Sequence, residues 1–132
     1  VGQALTLAEL ENMHIHKTGA LIRASVLLGA LSQPVVEPAV LERLDHYAKC
    51  IGLAFQIRDD ILDVIGDAAT LGKNTGADRA LAKPTYPALL GLEGAREHAR
   101  MLHEEALASL QPLGSEAEPL RWIASYVVER AY

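Results

Sequence analysis

Apolar residues recur at steps of three and four along most of the chain, and no segment alternates between apolar and polar residues with a period of two. Capping-box patterns at Thr6–Glu9 and Ser115–Glu118, together with the prolines, bound the periodic segments. The predicted helices span about residues 6–31, 38–65, 86–112 and 116–128. The pattern therefore predicts an all-α fold.

Glycines and prolines modify these helices. Lys17-Thr18-Gly19 interrupts the first helix, whose second half is apolar on most sides and is expected to be buried on more than one face. Gly66 is predicted to be the C′ residue that ends the second helix. A kink is predicted near Gly91–Gly94 in the third helix, and residues 66–84 are interpreted as a polar loop.

Three acids lie near the predicted end of the second helix: Asp59, Asp60 and Asp63. Acids there oppose the helix dipole, and acids one turn apart repel each other, so the group is expected to hold a cation. Asp59 and Asp63 share a face with Gln56 one turn earlier, an open set of oxygen ligands that suits Mg²⁺. The alternative is a solvated acidic patch.

Three of the four lysines occur in short segments with Gly, Thr or Pro: Lys17, Lys73 and Lys83. With the Thr18 hydroxyl, they are candidate donors to a diphosphate whose other side binds the metal. Two alternatives stay open, since Lys17 alone is typical of a snorkelling helix lysine and Lys83 of a surface loop.

Composition limits the function classes. The 132 residues are expected to form a single all-α unit, 1–132, and a net charge of −5 argues against a nucleic-acid partner. No apolar run is long enough to span a membrane. The only cysteine, Cys50, excludes an internal disulfide, is expected to be buried and inert, and fits a cytoplasmic location. The N-terminal sequence suggests part of a longer protein.

Four motifs, in order, resemble the trans-isoprenyl diphosphate synthases, with the farnesyl-forming bacterial members most similar. The motifs are Lys17-Thr18-Gly19-Ala20-Leu21-Ile22, Phe55-Gln56-Ile57-Arg58-Asp59-Asp60-Ile61-Leu62-Asp63, Thr70-Leu71-Gly72-Lys73, and Gly76-Ala77-Asp78 leading to Lys83-Pro84-Thr85-Tyr86-Pro87. The resemblance covers nearly the whole chain and implies the C-terminal half of the isoprenoid synthase fold.

The resemblance implies a Mg²⁺-assisted prenyltransferase. An allylic diphosphate ionises, isopentenyl diphosphate attacks the carbocation, and farnesyl diphosphate results. The positions implied to bind Mg²⁺ are Asp59, Asp60, Asp63 and Asp78. Those implied to surround the allylic diphosphate are Lys17, Thr18, Gln56 and Lys73, with Lys83 as a further substrate contact. A homodimer is expected.

The family's first aspartate-rich motif has no counterpart here, so the chain alone is expected to be inactive. Thr6 also stands where the family commonly has Asp. Two alternative classes are a terpene cyclase, disfavoured because its Asn/Asp-Ser/Thr-Glu motif is absent, and a non-catalytic helical module that pairs with another chain.

Overall fold

The computed structural model describes residues 5–71 and 85–131, and these residues form helices and no strand. The elements are α1 (Leu7–His14), a π-helical segment (Ile15–Gly19), α2 (Ala20–Leu31), α3 (Pro38–Leu71), α4 (Tyr86–Leu110), a 3₁₀ segment (Gln111–Ala117) and α5 (Glu118–Glu129). The all-α prediction is confirmed. Within the described ranges, no helix combines the length and apolarity needed to cross a membrane.

The first helix begins as predicted and is interrupted where predicted. Thr6 Oγ1 accepts a hydrogen bond from Glu9 N (3.2 Å), and Glu9 Oε2 accepts one from Thr6 N (2.8 Å), which completes the capping box. The interruption is the π-helical segment, which contains Lys17, Thr18 and Gly19. Segments of this type are frequent at functional sites.

The predicted burial of α2 on more than one face is wrong. None of its residues is buried, and Leu21 and Leu28 are each 70% exposed. Apolar residues all round a helix lead to burial only where another element covers each side. In the described part of the chain, α2 packs mainly on α3, and its opposite side has no cover.

Helix α3 is longer than predicted, with 34 residues and a length of about 50 Å. The predicted end at Gly66 is wrong, because the helix continues to Leu71. A glycine ends a helix when it adopts a positive φ, and the described glycines that do so are Gly91 and Gly114. The sequence after Gly66 is compatible with helix, so nothing local forces an end there.

The core lies between α3 and α4. Cross-contacts show that the two helices are antiparallel: Asp60 meets the start of α4 at Tyr86, and Cys50 meets Glu105. On each helix, one row of buried residues recurs at steps of three and four, and the alanines of α4 allow close approach. The rows are Tyr47, Cys50, Ala54, Ile57 and Ile61 on α3, and Ala95, Ala99, Leu102, Ala106 and Leu110 on α4.

The second half of the chain follows the prediction in part. The kink in α4 is confirmed at Gly91, where φ is 75° and ψ is 165°. The predicted Ser115–Glu118 cap is wrong, because residues 111–117 form the 3₁₀ segment and Ala117 begins α5 without a side-chain cap. Tyr47 joins α5 to the core by donating a hydrogen bond to the carbonyl oxygen of Leu120 (2.7 Å).

Candidate active site

The π-helical segment packs directly on α3. Gly19 is buried, and a Cβ added to Gly52 would lie 3.4 Å from the Gly19 Cα, so the two backbones approach closely at this point. Lys17 is exposed and Thr18 is half-buried. The close packing therefore holds these two candidate diphosphate donors beside α3, one turn before Gln56.

The three aspartates of α3 have different surroundings. The side chain of Asp59 is 46% exposed, and Asp63, one turn later on the same face, is exposed. Asp60 instead accepts a hydrogen bond from the backbone N of Tyr86 (3.1 Å), at the first residue of α4. The structure thus places Asp59 and Asp63 on an open face and gives Asp60 a contact that joins α3 to α4.

The dipole of α3 has little effect on these acids. Because α3 ends at Leu71, Asp59 lies about three turns from the helix end, and the dipole acts mainly within the last turn. The case for a cation rests instead on the spacing and exposure of Asp59 and Asp63.

An intramolecular cation already lies at this face. Arg130 Nη2 donates to Asp59 Oδ1 at 2.6 Å, and its guanidinium carbon lies 4.6 Å from the centre of the Phe55 ring. Arg58 donates two hydrogen bonds to the carbonyl oxygen of Arg130, at 2.9 and 2.7 Å. Sequence reasoning missed Arg130, because an ion pair between residues 71 positions apart leaves no local pattern.

A ring stack at the start of α4 is a second feature that the sequence analysis did not predict. His14 stacks on the fully buried Tyr86 with ring centroids 5.5 Å apart, and His98 lies next to the same tyrosine. Burial, with a smaller effect of Lys17, lowers the pKa of His14, so a neutral imidazole is favoured. His98 Nε2 lies 3.0 Å from Glu11 Oε1. The stack fixes Tyr86, and with it the backbone N–H that binds Asp60.

Trp122 and Tyr126 form an aromatic pair on the surface of α5. Both rings are largely exposed and stack on each other with centroids 5.7 Å apart. They line a shallow cleft of about 270 Å³ with Ser125, Glu129 and Arg130. The cleft shares Arg130 with the acidic face.

The donors on α3 fit a magnesium ion. Carboxylate oxygens are the ligands that Mg²⁺ prefers, and it commonly keeps open positions for water and phosphate. Asp63 is exposed, and Asp59 is partly exposed and pairs with the Arg130 guanidinium, so a metal ion at this face would share Asp59 with Arg130 or replace it. The predicted residues Lys73, Asp78 and Lys83 lie outside the described residues, so their position relative to this surface stays a prediction.

The fold and the site together define an all-α protein whose central helix presents acidic oxygen donors next to a segment with ammonium and hydroxyl groups. The polyprenyl synthetase family model matches residues 2–117, so the chain belongs to that family. It is 54% identical over 132 residues to farnesyl diphosphate synthase of Escherichia coli K12, an alignment that covers 98% of this chain and 44% of that protein.

Two solved structures have the same fold. An FPP/GFPP synthase from Zymomonas mobilis is 36% identical with a TM-score of 0.78, over 96% of this chain and 40% of that one. A geranyltransferase from Helicobacter pylori, complexed with magnesium and isoprenyl diphosphate, is 32% identical with a TM-score of 0.72, over 96% and 41%. The chain therefore spans less than half the length of the relatives it matches.

Proposed function

We propose that this chain supplies the half of a prenyltransferase that holds the leaving diphosphate. The enzyme joins an allylic diphosphate, dimethylallyl or geranyl, to isopentenyl diphosphate and yields farnesyl diphosphate. The observation that carries the proposal is the Asp59–Asp63 face of α3, which begins about two turns after Gly52, where the π-helical segment with Lys17 and Thr18 packs on the helix. The similarity to a farnesyl diphosphate synthase supports the choice of product.

In this proposal Asp59 and Asp63 bind Mg²⁺, and the bound ion supplies positive charge that stabilises the departing diphosphate. Lys17 and Thr18 donate hydrogen bonds to diphosphate oxygens on the side away from the metal, and Gln56 adds an amide donor. The similar geranyltransferase, complexed with magnesium and isoprenyl diphosphate, supports this choice of metal and substrate class.

In this proposal Asp60 has a positioning role. Its hydrogen bond to Tyr86 N ties α3 to the start of α4 and uses one of its oxygens. Lys73, Asp78 and Lys83 are assigned by motif alone, with Asp78 as a further metal ligand and the lysines as further diphosphate contacts. No protein nucleophile is required, since stabilising the leaving group is sufficient for ionisation.

The proposal is tested by isothermal titration of the chain with inorganic pyrophosphate in the presence and absence of Mg²⁺. We expect Mg²⁺-dependent binding that is lost in Asp59→Asn and Asp63→Asn. Glu42→Gln, which removes an exposed acid elsewhere on α3, should bind as the parent does. Equal binding by all four proteins would show that this face is not the metal site.

The isolated chain is proposed to be inactive in prenyl transfer, because the family's first aspartate-rich motif has no counterpart in it. An assay with geranyl and isopentenyl diphosphates checks this directly. Product formation by the purified chain alone would contradict the proposal.

One observation favours a role in association as well. Leu21, Leu28, Leu31 and Val35 leave an exposed apolar surface on and just after α2. Surfaces of this kind mark contacts with other protein. The proposed homodimer, or pairing with another chain, would cover this surface, and light scattering of the purified chain at several concentrations tests it. A monomer throughout would contradict association of the chain with itself.

A further inference from the structure

A second group of potential metal ligands lies away from the aspartate face. His46 and Cys50 are one turn apart on α3, and Glu105 faces them from α4. The Cys50 sulfur lies 3.6 Å from His46 Nε2 and 3.5 Å from Glu105 Oε2, and these last two atoms are 3.9 Å apart. In the described ranges, this is the one set of three or more His, Cys, Asp or Glu side chains that converges within 4.8 Å.

These separations match a tetrahedral metal site. With Zn–S near 2.3 Å and Zn–N and Zn–O near 2.0–2.2 Å, tetrahedral angles place neighbouring ligand atoms about 3.3–3.6 Å apart. Both contacts of the sulfur fall in or at the edge of this range, and the contact between His46 and Glu105 is slightly long. Cys50 is 3% exposed and fixed in the core, whereas the His46 and Glu105 side chains are 53% and 57% exposed and free to adjust.

The ligand types select the metal. Thiolate and imidazole favour zinc among the available divalent ions, while Mg²⁺ and Ca²⁺ prefer sets made entirely of oxygen. The site is also separate from the aspartate face, because Cys50 precedes Asp59 by nine residues, roughly 13 Å along α3. An ion here would contact both helices of the core.

We propose that His46, Cys50 and Glu105 form a Zn²⁺ site that links α3 to α4, with its fourth position open to solvent. On binding, the Cys50 thiol proton passes to solvent and the thiolate coordinates the ion. Because the folded protein brings the ligands together and the unfolded chain does not, bound zinc stabilises the fold.

The metal-free state is a thiol. Burial, with a further effect of the Glu105 carboxylate, raises the pKa of Cys50 to about 12, which agrees with the expected inert thiol. Glu105 accepts the S–H hydrogen bond in this state. A bound Zn²⁺ ion would take the place of the thiol proton and would also bind the Glu105 carboxylate. The three side chains would therefore stay close together with and without the metal.

The test is a titration of the chain with Co²⁺, a spectroscopic substitute for zinc, followed by displacement with Zn²⁺. We expect a thiolate-to-cobalt charge-transfer band that reports one cobalt ion at this site and that Zn²⁺ abolishes. The band reports a bound sulfur, so cobalt at Asp59 and Asp63 does not produce it. It should persist in Asp59→Asn.

Variants of the three ligands complete the test. Cys50→Ser should lose the band. Glu105→Gln and His46→Ala should each weaken cobalt binding by more than about tenfold, because changing residues that only support the ligands of a metal site already costs about 10–100-fold in affinity. Glu104→Gln, which changes an exposed neighbour of Glu105, is the matched control and should bind as the parent does.

Absence of the band at saturating cobalt would overturn the proposal, as would a band that persists in Cys50→Ser. Should Cys50→Ser fail to fold, the two exposed ligands decide, since neither contributes to the core. Unchanged cobalt affinity in both Glu105→Gln and His46→Ala would overturn it. Thermal unfolding with and without Zn²⁺ gives an independent reading. We expect the same rise in melting temperature in the parent, Glu104→Gln and Asp59→Asn, and a smaller rise or none in the three ligand variants.

Discussion

Gly19 offers a sharp test of how the π-helical segment is built. A Cβ at this position would lie 3.0 Å from the carbonyl oxygen of His14, which is a backbone atom and cannot rotate away. A Cβ at Gly29, in the neighbouring helix α2, would meet nothing within 4 Å. The two glycines therefore form a matched pair for replacement by alanine.

The expected magnitudes follow from these contacts. Alanine in a helix is favoured over glycine by about 0.5–1 kcal/mol, and Gly29→Ala should gain this stability. Gly19→Ala should gain the same amount but lose about 1–3 kcal/mol to overpacking. Because the helix preference is common to both, the difference between the variants measures the steric cost alone.

Urea denaturation followed by the helical circular dichroism signal measures both variants against the parent. The prediction is a higher midpoint for Gly29→Ala and a lower midpoint for Gly19→Ala, with unchanged slopes. If Gly19→Ala were stabilised as much as Gly29→Ala, the close approach at His14 would not exist. The backbone geometry described for the segment that carries Lys17 and Thr18 would then be contradicted.

Three further substitutions test the packing. Arg23 donates two hydrogen bonds to Asp45 and so holds the pKa of that carboxyl below its usual value. Arg23→Met should lower the free energy of unfolding by up to about 1 kcal/mol at pH 7. This difference from the parent should vanish as the pH falls through the folded-state pKa of Asp45, because the pair contributes only while the carboxyl is ionised. Tyr47→Phe removes the hydrogen bond to Leu120 and should cost about 1 kcal/mol in urea melts. Burial raises the pKa of Tyr47 to about 12, so the parent should lose stability from about pH 10 upward, and the phenylalanine variant less. Asp60→Ala removes the acceptor at the start of α4 and should lower stability by about 1 kcal/mol, measured in the same melts.

For each of these three substitutions, a specific result would contradict the contact that it tests. A constant difference between Arg23→Met and its parent down to strong acid would contradict the ion pair. A parent and Tyr47→Phe that respond alike to alkaline pH would contradict the buried phenol. An Asp60→Ala variant as stable as the parent would contradict the contact between α3 and α4.

Local sequence patterns predicted the local features of the fold. The capping box at Thr6, the interruption at Lys17-Thr18-Gly19 and the kink near Gly91 each depend on residues that are neighbours in sequence, and the structure has all three. The misses have different causes. Whether α2 is covered depends on packing partners that no local pattern encodes, whereas the end at Gly66 and the cap at Ser115–Glu118 are local patterns that the structure does not adopt.

The candidate site was also predictable only in part. The spacing of Asp59 and Asp63 on one face followed from helical periodicity alone. The partners of the neighbouring groups did not: Arg130 reaches Asp59 from 71 residues away, and Asp60 is engaged by a backbone N–H 26 residues away. Long-range pairing of this type depends on how α3, α4 and the C-terminal residues pack.

We expect the aspartate face of α3 to promote the ionisation of a prenyl diphosphate. The most direct measurement is made in a chimaera in which this chain replaces the matching part of the Escherichia coli farnesyl diphosphate synthase, to which it is 54% identical. The chimaera is expected to form farnesyl diphosphate from geranyl and isopentenyl diphosphates in the presence of Mg²⁺. Asp59→Asn and Asp63→Asn should each lower its kcat by at least about 10²-fold, as expected when a group that stabilises the transition state is removed. A folded chimaera without activity, or one whose activity survives both substitutions, would contradict it.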